Sequence, residues 1–293
     1  MAIKTILVPV VDAVVGRSAV ATAFLTAYSF RAHVVGLHVP AKPDFTAEDM
    51  MMSRASLGMA GQDIQEMLRA AEGKEAEATE EARRMFAAIA EAASAEEASA
   101  PSDRERLTAA FEVAAGADPE AVAAKGRLFD LVVVSQPRND PGHRLRTLLR
   151  AVLFDSGRPI LVAPEKPPET IGETVLIAWN GSALSARAAA ISRQHFRRAR
   201  KVCVLSVLRG ARSESPAQQL ADYLSWHGIE ASVVETELGQ RRLGDVFLEH
   251  AAALGADLLV MGAYAQSPFR ESLTGGVTNY ILSNADVPVL MTH

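Results

Sequence analysis

The sequence contains a single cysteine, few aromatic residues and no excess of basic charge. Cys203 rules out an internal disulfide framework and is typical of a reducing compartment. The chain has 30 lysine and arginine residues and 35 aspartate and glutamate residues. The resulting formal net charge of -5 argues against a general nucleic-acid binder. No apolar run approaches the roughly 20 residues that span a bilayer, and no cleavable signal precedes the first strand pattern. We therefore expect a cytoplasmic protein that contacts neither membrane nor nucleic acid.

Several catalytic and metal-binding signatures are also missing. The seven histidines never occur at the spacing of metal ligands, and with one cysteine no zinc site is indicated. No lysine follows a glycine pair as in a Walker loop, and there is no GxGxxG motif. The WNGSA run at residues 179–183 is not the GxSxG of a nucleophile elbow. The sequence therefore indicates no catalytic residue and no metal site made by protein ligands alone.

The chain contains an internal duplication. Four blocks recur in the same order: 4–24 with 173–193, 33–40 with 201–208, 129–137 with 256–264, and 152–164 with 280–292. A conserved order of blocks indicates a tandem repeat of one structural unit. We refer to the two halves as repeat one and repeat two.

Each repeat alternates short β-branched runs with longer stretches of helical pattern. Continuous apolar strands separated by helices indicate a mainly parallel sheet covered by helices on both faces. Right-handed crossovers then give a doubly wound, Rossmann-like α/β domain of about five strands. We predict two such tandem domains, at residues 1–165 and 172–293, packed about a pseudo-two-fold axis. The linker at 165–172 contains two prolines.

Repeat one carries extra residues within about 41–100. This segment is rich in alanine, glutamate, methionine and arginine, which favour helix, and it is interrupted at Gly58, Gly61 and Gly73. We predict an elongated second helix preceded by a methionine-rich turn or loop. Its methionines either line a partner surface or pocket lid, or pack over the host domain. They are Met50, Met51, Met52, Met59 and Met67.

Polar residues and glycines follow the strands of repeat two. In a doubly wound sheet, ligands bind beyond the carboxyl ends of the strands, where the strand order reverses. Backbone amides at Gly275, Gly276 and Val277, with the hydroxyl of Thr278, would face an anion at a helix N-terminus, which favours phosphate. The other candidates at the strand ends are Ala178, Trp179, Asn180, Gly181, Ser182, Val207, Met261 and Gly262.

The block order and the C-terminal loop resemble the universal stress protein family, as a tandem two-domain member. Nucleotide-binding members of that family carry Gly-x2-Gly-x9-Gly-(Ser/Thr) between strand four and the last helix. This chain keeps the spacing, with Gly262, Ala265, Gly275 and Gly276 at the four positions. Ala265 replaces a glycine, and Gly276 replaces a serine or threonine.

The resemblance also implies the roles of two strand ends. The end of the first strand would hold adenine and ribose, usually through an aspartate, and this chain has Asn180 there. An amide still donates and accepts hydrogen bonds, but it lacks the charge of a carboxylate. Backbone groups at Val207, on the second strand, would bind the adenine.

Repeat one departs further from the family pattern. Its loop at 135–149 has Ser135 and Pro137 where the backbone would approach a ligand, and no glycine pair opens its last helix. Asp12 lies one place later than Asn180 when the strands are aligned. We predict that repeat one is degenerate as an adenine site. Its basic loop residues either bind an anion or are solvated; they are Arg138, His143, Arg144 and Arg146.

Three functional classes remain. The first is a regulatory stress-response protein that binds ATP or AMP in repeat two, with slow or no hydrolysis and with Mg²⁺ at most near Thr278. The second is a weak ATP hydrolase, for which the loop offers Arg270 and Glu271. The third is an interaction module that recruits an unknown protein partner through the insertion.

The resemblance implies a pseudo-dimer within the chain. Single-domain members of the family pair through their last strands, which here are residues 159–164 and 288–293. Both runs are apolar, and natural proteins cover such sheet edges. We expect the two edges to pair antiparallel, and a further homodimer remains open.

Overall fold

The computed structural model describes residues 3–41, 61–100, 106–138, 140, 143–208, 215–263 and 276–293. The elements of repeat one are β1 (Thr5–Val10), α1 (Ala13–Phe30), β2 (His33–His38), α2 (Gly61–Ala92), β3 (Glu96–Glu97), β4 (Thr108–Val113), α3 (Pro119–Gly126), β5 (Leu131–Ser135), α4 (Arg144–Asp155) and β6 (Ile160–Ala163). Those of repeat two are β7 (Thr174–Ala178), α5 (Ala183–Phe196), β8 (Lys201–Leu208), α6 (Pro216–Ser225), β9 (Ser232–Glu237), α7 (Leu243–Leu254), β10 (Leu258–Gly262), α8 (Val277–Asn284) and β11 (Val289–Thr292).

The strands form one sheet in the order β3-β4-β2-β1-β5-β6-β11-β10-β7-β8-β9. Each repeat contributes five strands in matching order, and the two-residue β3 adds one strand at the edge of repeat one. Within each repeat the strands are parallel, and the order reverses beside the first strand, between β1 and β5 and between β7 and β10. The predicted tandem, doubly wound fold is confirmed.

The core lies on both faces of this sheet. Side chains of β1 alternate between the two faces, with Ile6 and Val8 on one and Leu7 on the other, because successive residues of a strand point to opposite sides. Helices α1, α2, α5 and α6 cover the first face, and α3, α4, α7 and α8 cover the second. Each strand is therefore buried on two sides, which explains the continuous apolar runs in the sequence.

The two repeats join through their last strands. β6 and β11 pair antiparallel, with Leu161 opposite Leu290 and Val162 opposite Val289. All four side chains are buried. The predicted edge pairing is confirmed, since each apolar edge is covered by the other.

The insertion forms a single long helix where the structure describes it. Helix α2 continues through Gly73, so the predicted interruption there is wrong; no described atom lies within 4 Å of a Cβ placed at this glycine. The C-terminal half of α2 packs on the host domain through Met85 and Phe86, and Phe86 fills the space left by Gly36. Met67 is exposed. Gly58 and the methionines at 50, 51, 52 and 59 lie outside the described residues.

Helix α1 bears on the expectation of no membrane contact. Within the described part of the chain it is the one helix long and apolar enough, by length and composition, to cross a bilayer. In the structure 56% of it is buried, through residues such as Val20 and Phe24, against the sheet and α2. The core helix of a doubly wound domain accounts for this apolar composition.

An aspartate holds the start of the first strand in both repeats. Asp130 Oδ2 accepts hydrogen bonds from the backbone nitrogens of Lys4 (2.8 Å) and Thr5 (3.0 Å). Asp257 accepts in the same way from Thr174 (2.9 Å). This clamp was not predicted from the sequence, although the aspartate occupies the same place in a pair of matching blocks.

Candidate functional site

The turn after β7 is built by its own side chains. Asn180 Oδ1 accepts a hydrogen bond from the backbone nitrogen of Ser182 (3.0 Å), and Gly181 between them has a φ of +74°. Ser182 Oγ in turn accepts from the nitrogen of Ser185 (3.2 Å) and caps α5. Because the oxygen of this exposed side chain accepts a hydrogen bond within the turn, its remaining polar group is the NH₂, which is a donor.

The ends of β7 and β8 are tied together beside this turn. The Trp179 nitrogen donates to the Leu205 carbonyl (2.8 Å), and Ser206 Oγ donates to the Trp179 carbonyl (3.0 Å). Alternate residues of a parallel strand bond to the same neighbour. The Leu205 carbonyl points towards β7, so the backbone groups of Val207, two residues further along β8, point in the same direction. Because β7 ends at Ala178, these groups lie beyond its last residue. These are the backbone groups for which the family resemblance implies adenine binding.

Gly262, the last residue of β10, lies against helix α5. A Cβ at this position would come within 2.7 Å of the Ser185 nitrogen and 2.8 Å of the Leu184 carbonyl carbon. In repeat one, Ser135 occupies the matching place, and its hydroxyl donates to the Val15 carbonyl (3.2 Å) in the first turn of α1. The close approach at Gly262 is thus to a helix of the protein itself. Met261 beside it is buried in the core.

The N-terminus of α8 carries the candidate anion-binding groups. Gly276 is its N-cap residue and is exposed, and no described atom lies within 4 Å of a Cβ placed there. Val277 is half-buried, and Thr278 is buried. Ala265, Gly275, Arg270 and Glu271 lie outside the described residues.

Helix α8 begins without a side-chain cap in the described part of the chain. The first four N–H groups of any helix lack partners within the helix. Asp12, Ser182 and Ser215 supply an oxygen to such groups at the starts of α1, α5 and α6. At α8 the cap residue is a glycine, which has no side chain to offer. The start of α8, with its glycine N-cap, therefore lies at the carboxyl edge of the sheet.

Tyr280 fastens the first turn of α8 to α7. Its hydroxyl donates a hydrogen bond to Asp245, and this bond raises the pKa of Tyr280. The ring fills the space left by Gly244, where a Cβ would lie 2.3 Å from Tyr280 Cδ1. The Arg242 guanidinium lies 6.0 Å from the ring centroid.

In repeat one, the insertion covers the corresponding strand end. His38 occupies the place of Ser206, and its Nδ1 lies 3.1 Å from the Val10 carbonyl oxygen. Its Nε2 lies 3.0 Å from Glu75 of α2, whose second oxygen accepts from the Ala41 nitrogen (3.1 Å). Each ring nitrogen of His38 therefore lies next to a hydrogen-bond acceptor, a carbonyl on one side and a carboxylate on the other. The role of Glu75 at this strand end was not predicted from the sequence.

The basic loop of repeat one contacts backbone carbonyls. Arg144 donates to the carbonyls of Val39 (3.1 Å) and Pro40 (3.0 Å), and Arg138 donates to that of Ser283 (2.8 Å) in repeat two. Both arginines are exposed, and these contacts with backbone carbonyls were not predicted from the sequence. His143 is the N-cap residue of α4, and the backbone nitrogen of Arg146 donates to Asp140.

Asp12 serves its own helix rather than the sheet edge. Its Oδ1 accepts from the nitrogens of Val14 (2.7 Å) and Val15 (3.0 Å) as the N-cap of α1. This is the role that Ser182 has at α5. Across the described residues, no group of three or more histidine, cysteine, aspartate or glutamate side chains is placed to hold a metal ion.

Comparisons with known proteins agree with this architecture. Residues 173–293 match the model of the universal stress protein family. A universal stress protein from Archaeoglobus fulgidus DSM 4304 shares the fold, with 15% identity, coverage of 98% of this chain and 97% of that chain, and a TM-score of 0.66. One from Pseudomonas aeruginosa UCBPP-PA14, called putative, has 17% identity, coverage of 99% and 93%, and a TM-score of 0.57.

The same fold extends beyond those two structures. The cytoplasmic domain of a prokaryotic cation chloride cotransporter is 12% identical, with coverage of 99% of this chain and 95% of that chain and a TM-score of 0.51. No curated protein matches this chain.

Fold and site together define a tandem α/β protein with two doubly wound repeats and a helix with a glycine N-cap at the edge of the second. Its C-terminal repeat, residues 173–293, is similar to the universal stress protein family, whose model it matches. Over its whole length the chain has the fold of the two universal stress protein structures from Archaeoglobus fulgidus and Pseudomonas aeruginosa.

Proposed function

We propose that repeat two binds an adenine nucleotide, ATP or AMP, and that the protein is a cytoplasmic regulator of a stress response. The observation that carries this proposal is the start of α8, where the N-cap residue at the carboxyl edge of the sheet is Gly276, a residue with no side chain. This helix lies within the segment that matches the universal stress protein family. We further propose that the two functional units correspond to residues 1–165 and 172–293.

Different residues at this edge bind different parts of the nucleotide. The backbone of Val207, past the end of β7, meets the adenine, and the Asn180 amide donates to the adenine or the ribose. Gly181 and Ser182 hold the Asn180 turn in place. Amides at Gly275, Gly276 and Val277 donate to the phosphates, where the partial positive charge of the helix N-terminus favours an anion.

The space at Gly276 fits a phosphate. A side chain there would project where no described atom lies within 4 Å, so the glycine keeps room beside its own amide. If Mg²⁺ accompanies the nucleotide, Thr278 is the candidate hydroxyl ligand. Its burial means that the metal would have to reach into the first turn of α8.

Hydrolysis at such a site is expected to be slow. Amides at a helix N-terminus stabilise the phosphates of bound ATP nearly as well as the transition state, and uniform binding of that kind does not raise turnover. Fast phosphoryl transfer needs a group that orients water and further neutralisation of charge. Arg270 and Glu271 are the loop residues that a weak hydrolase would use. We therefore propose a sensor whose output is conformational.

The first experiment identifies what the purified protein carries. Mass spectrometry of the ligand released on denaturation should find an adenine nucleotide, and calorimetry should measure its rebinding. Gly276→Val should abolish binding, because the side chain would fill the space beside the amides. Gly116→Val is the control, since that glycine is exposed and has no described atom near its Cβ position.

The outcomes separate the functional classes. A parent protein that neither carries nor binds a nucleotide would favour the interaction module. Turnover of Mg-ATP at about 1 per second or faster, approaching a typical enzyme, would favour the hydrolase. Equal binding by Gly276→Val and the parent would show that the site is elsewhere.

A further inference from the structure

The C-terminal end of α8 is held by repeat one. Gln136 Nε2 donates to the carbonyl of Ala285 (3.0 Å), and Arg138 Nε donates to that of Ser283 (2.8 Å). Both residues belong to the loop after β5, the loop that is degenerate as a nucleotide site. The last carbonyls of a helix lack partners within it, so these donors satisfy groups that would otherwise need water.

Arg138 is fixed in this position by further ionic contacts. Its Nη2 lies 3.2 Å from Asp286 just beyond α8, and its Nη1 lies 3.6 Å from Glu165 between the repeats. A cation beside the last turn also interacts favourably with the negative end of the helix dipole. The guanidinium therefore joins three parts of the molecule: its own loop, the segment after β6, and the end of α8.

Helix α8 is short enough for its two ends to be coupled. Its eight residues span only about 12 Å at 1.5 Å per residue. Tyr280 fastens the first turn to α7 through Asp245, while Gln136 and Arg138 fasten the last turn to repeat one. A shift at the last turn would therefore move the amides at the first.

The matching loop of repeat two cannot return the Gln136 contact. Ala263 aligns with Gln136 and has no polar side-chain group. In repeat one, the end of α4 is instead capped from within, by Arg127 Nε donating to the Asp155 carbonyl (3.0 Å). Repeat one thus contacts the last turn of its neighbour's helix α8, and Arg127 caps the end of its own α4.

We propose that Gln136 and Arg138 are positioning residues for the nucleotide site of repeat two, so that repeat one sets the affinity of a site it does not contain. This inference rests on the function proposed above. It gives repeat one a role in nucleotide binding. The loop after β5, which lacks the glycines of the family motif, orients α8, and the N-terminus of α8 meets the phosphates. Movement between the repeats would then change nucleotide affinity.

The test compares two arginines that cap helices in the two repeats. Arg138→Gln should weaken binding of ATP and AMP about tenfold, a usual size for coupling between sites, and should speed hydrogen exchange in residues 277–286. Arg127→Gln uncaps α4 instead, so it should affect stability while leaving nucleotide affinity unchanged. Arg138→Lys keeps the charge and should recover part of the lost affinity.

Each result has a defined consequence. If the parent binds nucleotide and Arg138→Gln binds equally well, the inference is wrong and the proposed function stands. If Arg127→Gln loses as much nucleotide affinity as Arg138→Gln, the loss of affinity reflects lower overall stability, and the inference is overturned. Unchanged hydrogen exchange over 277–286 in Arg138→Gln would also overturn it. A parent that binds no nucleotide overturns the proposed function, and the inference with it.

Discussion

Two glycines at positions of the same family motif, Gly262 at a glycine position and Gly276 at the serine or threonine position, have different surroundings in this structure. A Cβ at Gly262 would lie less than 3 Å from the backbone of α5, whereas a Cβ at Gly276 would face open space among the described residues. The first glycine is therefore required by packing, and the second is compatible with a ligand. A motif of spaced glycines contains both requirements, and only the contacts separate them.

Substituting the two glycines should separate stability from binding. Gly262→Ala should lower the free energy of unfolding by about 1–3 kcal/mol, the usual cost of overpacking, because backbone of α5 cannot yield as a side chain would. Gly276→Ala should leave stability within about 0.5 kcal/mol, as at an open surface position, and should weaken nucleotide binding. Urea denaturation and calorimetry measure the two effects. Equal stability losses would contradict the assignment.

His195 makes acid stability a second prediction at the scale of the residue. It lies at the end of α5, 4% exposed, with its ring 4.9 Å from that of Phe30 in repeat one. Neither ring nitrogen has a hydrogen-bond partner in the described structure. Burial, with a smaller contribution from Arg198, lowers the pKa of His195 from 6.5 to about 4.

The lowered pKa of His195 should make unfolding easier in acid. The unfolded chain binds a proton below pH 6.5 that the folded protein accepts only near pH 4, so stability should fall as the pH drops through this window. The shift corresponds to a loss of roughly 3 kcal/mol by pH 4. Urea denaturation of His195→Leu should show a shallower pH dependence than the parent. Identical slopes would exclude His195 as the cause.

At the scale of the element, α2 covers the end of β2 in repeat one. Its Glu75 carboxylate lies at the end of β2, where the backbone of repeat two is expected to meet adenine. The helix is anchored there by His38 and Ala41, and its described residues from 69 to 74 are exposed. Glu75 therefore joins α2 to the edge of the sheet next to an exposed stretch of the helix.

Removing the Glu75 charge should loosen the N-terminal half of α2. In Glu75→Gln an amide replaces the carboxylate, so the charge-assisted bond to His38 is lost and hydrogen exchange in residues 65–78 should accelerate. Glu77→Gln is the matched control, because Glu77 is exposed on the same helix. Equal exchange in the two variants would show that the contact does not anchor α2.

At the scale of the whole molecule, the pairing of β6 with β11 turns two sheets into one. Leu161 and Leu290 face each other across this junction and are both buried. Each substitution by alanine should lower the free energy of unfolding by about 2–5 kcal/mol. Because the two side chains are cross-strand partners, the double variant should deviate from the sum of the single effects.

A distant pair provides the control for this cycle. Leu205 of β8 is also fully buried, but four strand spacings separate it from β6, or about 19 Å at 4.8 Å per strand. Leu161→Ala with Leu205→Ala should therefore be additive within about 0.5 kcal/mol. Additivity of the Leu161 and Leu290 substitutions as well would contradict a coupled junction.

The sequence by itself determined the architecture of this protein. Alternating apolar runs and helical patterns, recurring in the same order, specify two doubly wound repeats, because secondary structure follows local periodicity and burial on both faces. The junction was implied by the family resemblance, and the apolar runs at 159–164 and 288–293 agreed with it. The candidate edge of repeat two could be located for the same reason, since the ends of parallel strands share one edge.

The tertiary structure alone decided which partner each edge residue has. Gly262 faces α5, Asp12 caps its own helix, Glu75 reaches His38 across the insertion, and Arg138 crosses to the end of α8. Apart from the Asp12 cap, these contacts join residues far apart in the chain, and side-chain identity does not reveal them. A single sequence shows which groups can donate, accept or leave space, and packing determines which groups meet.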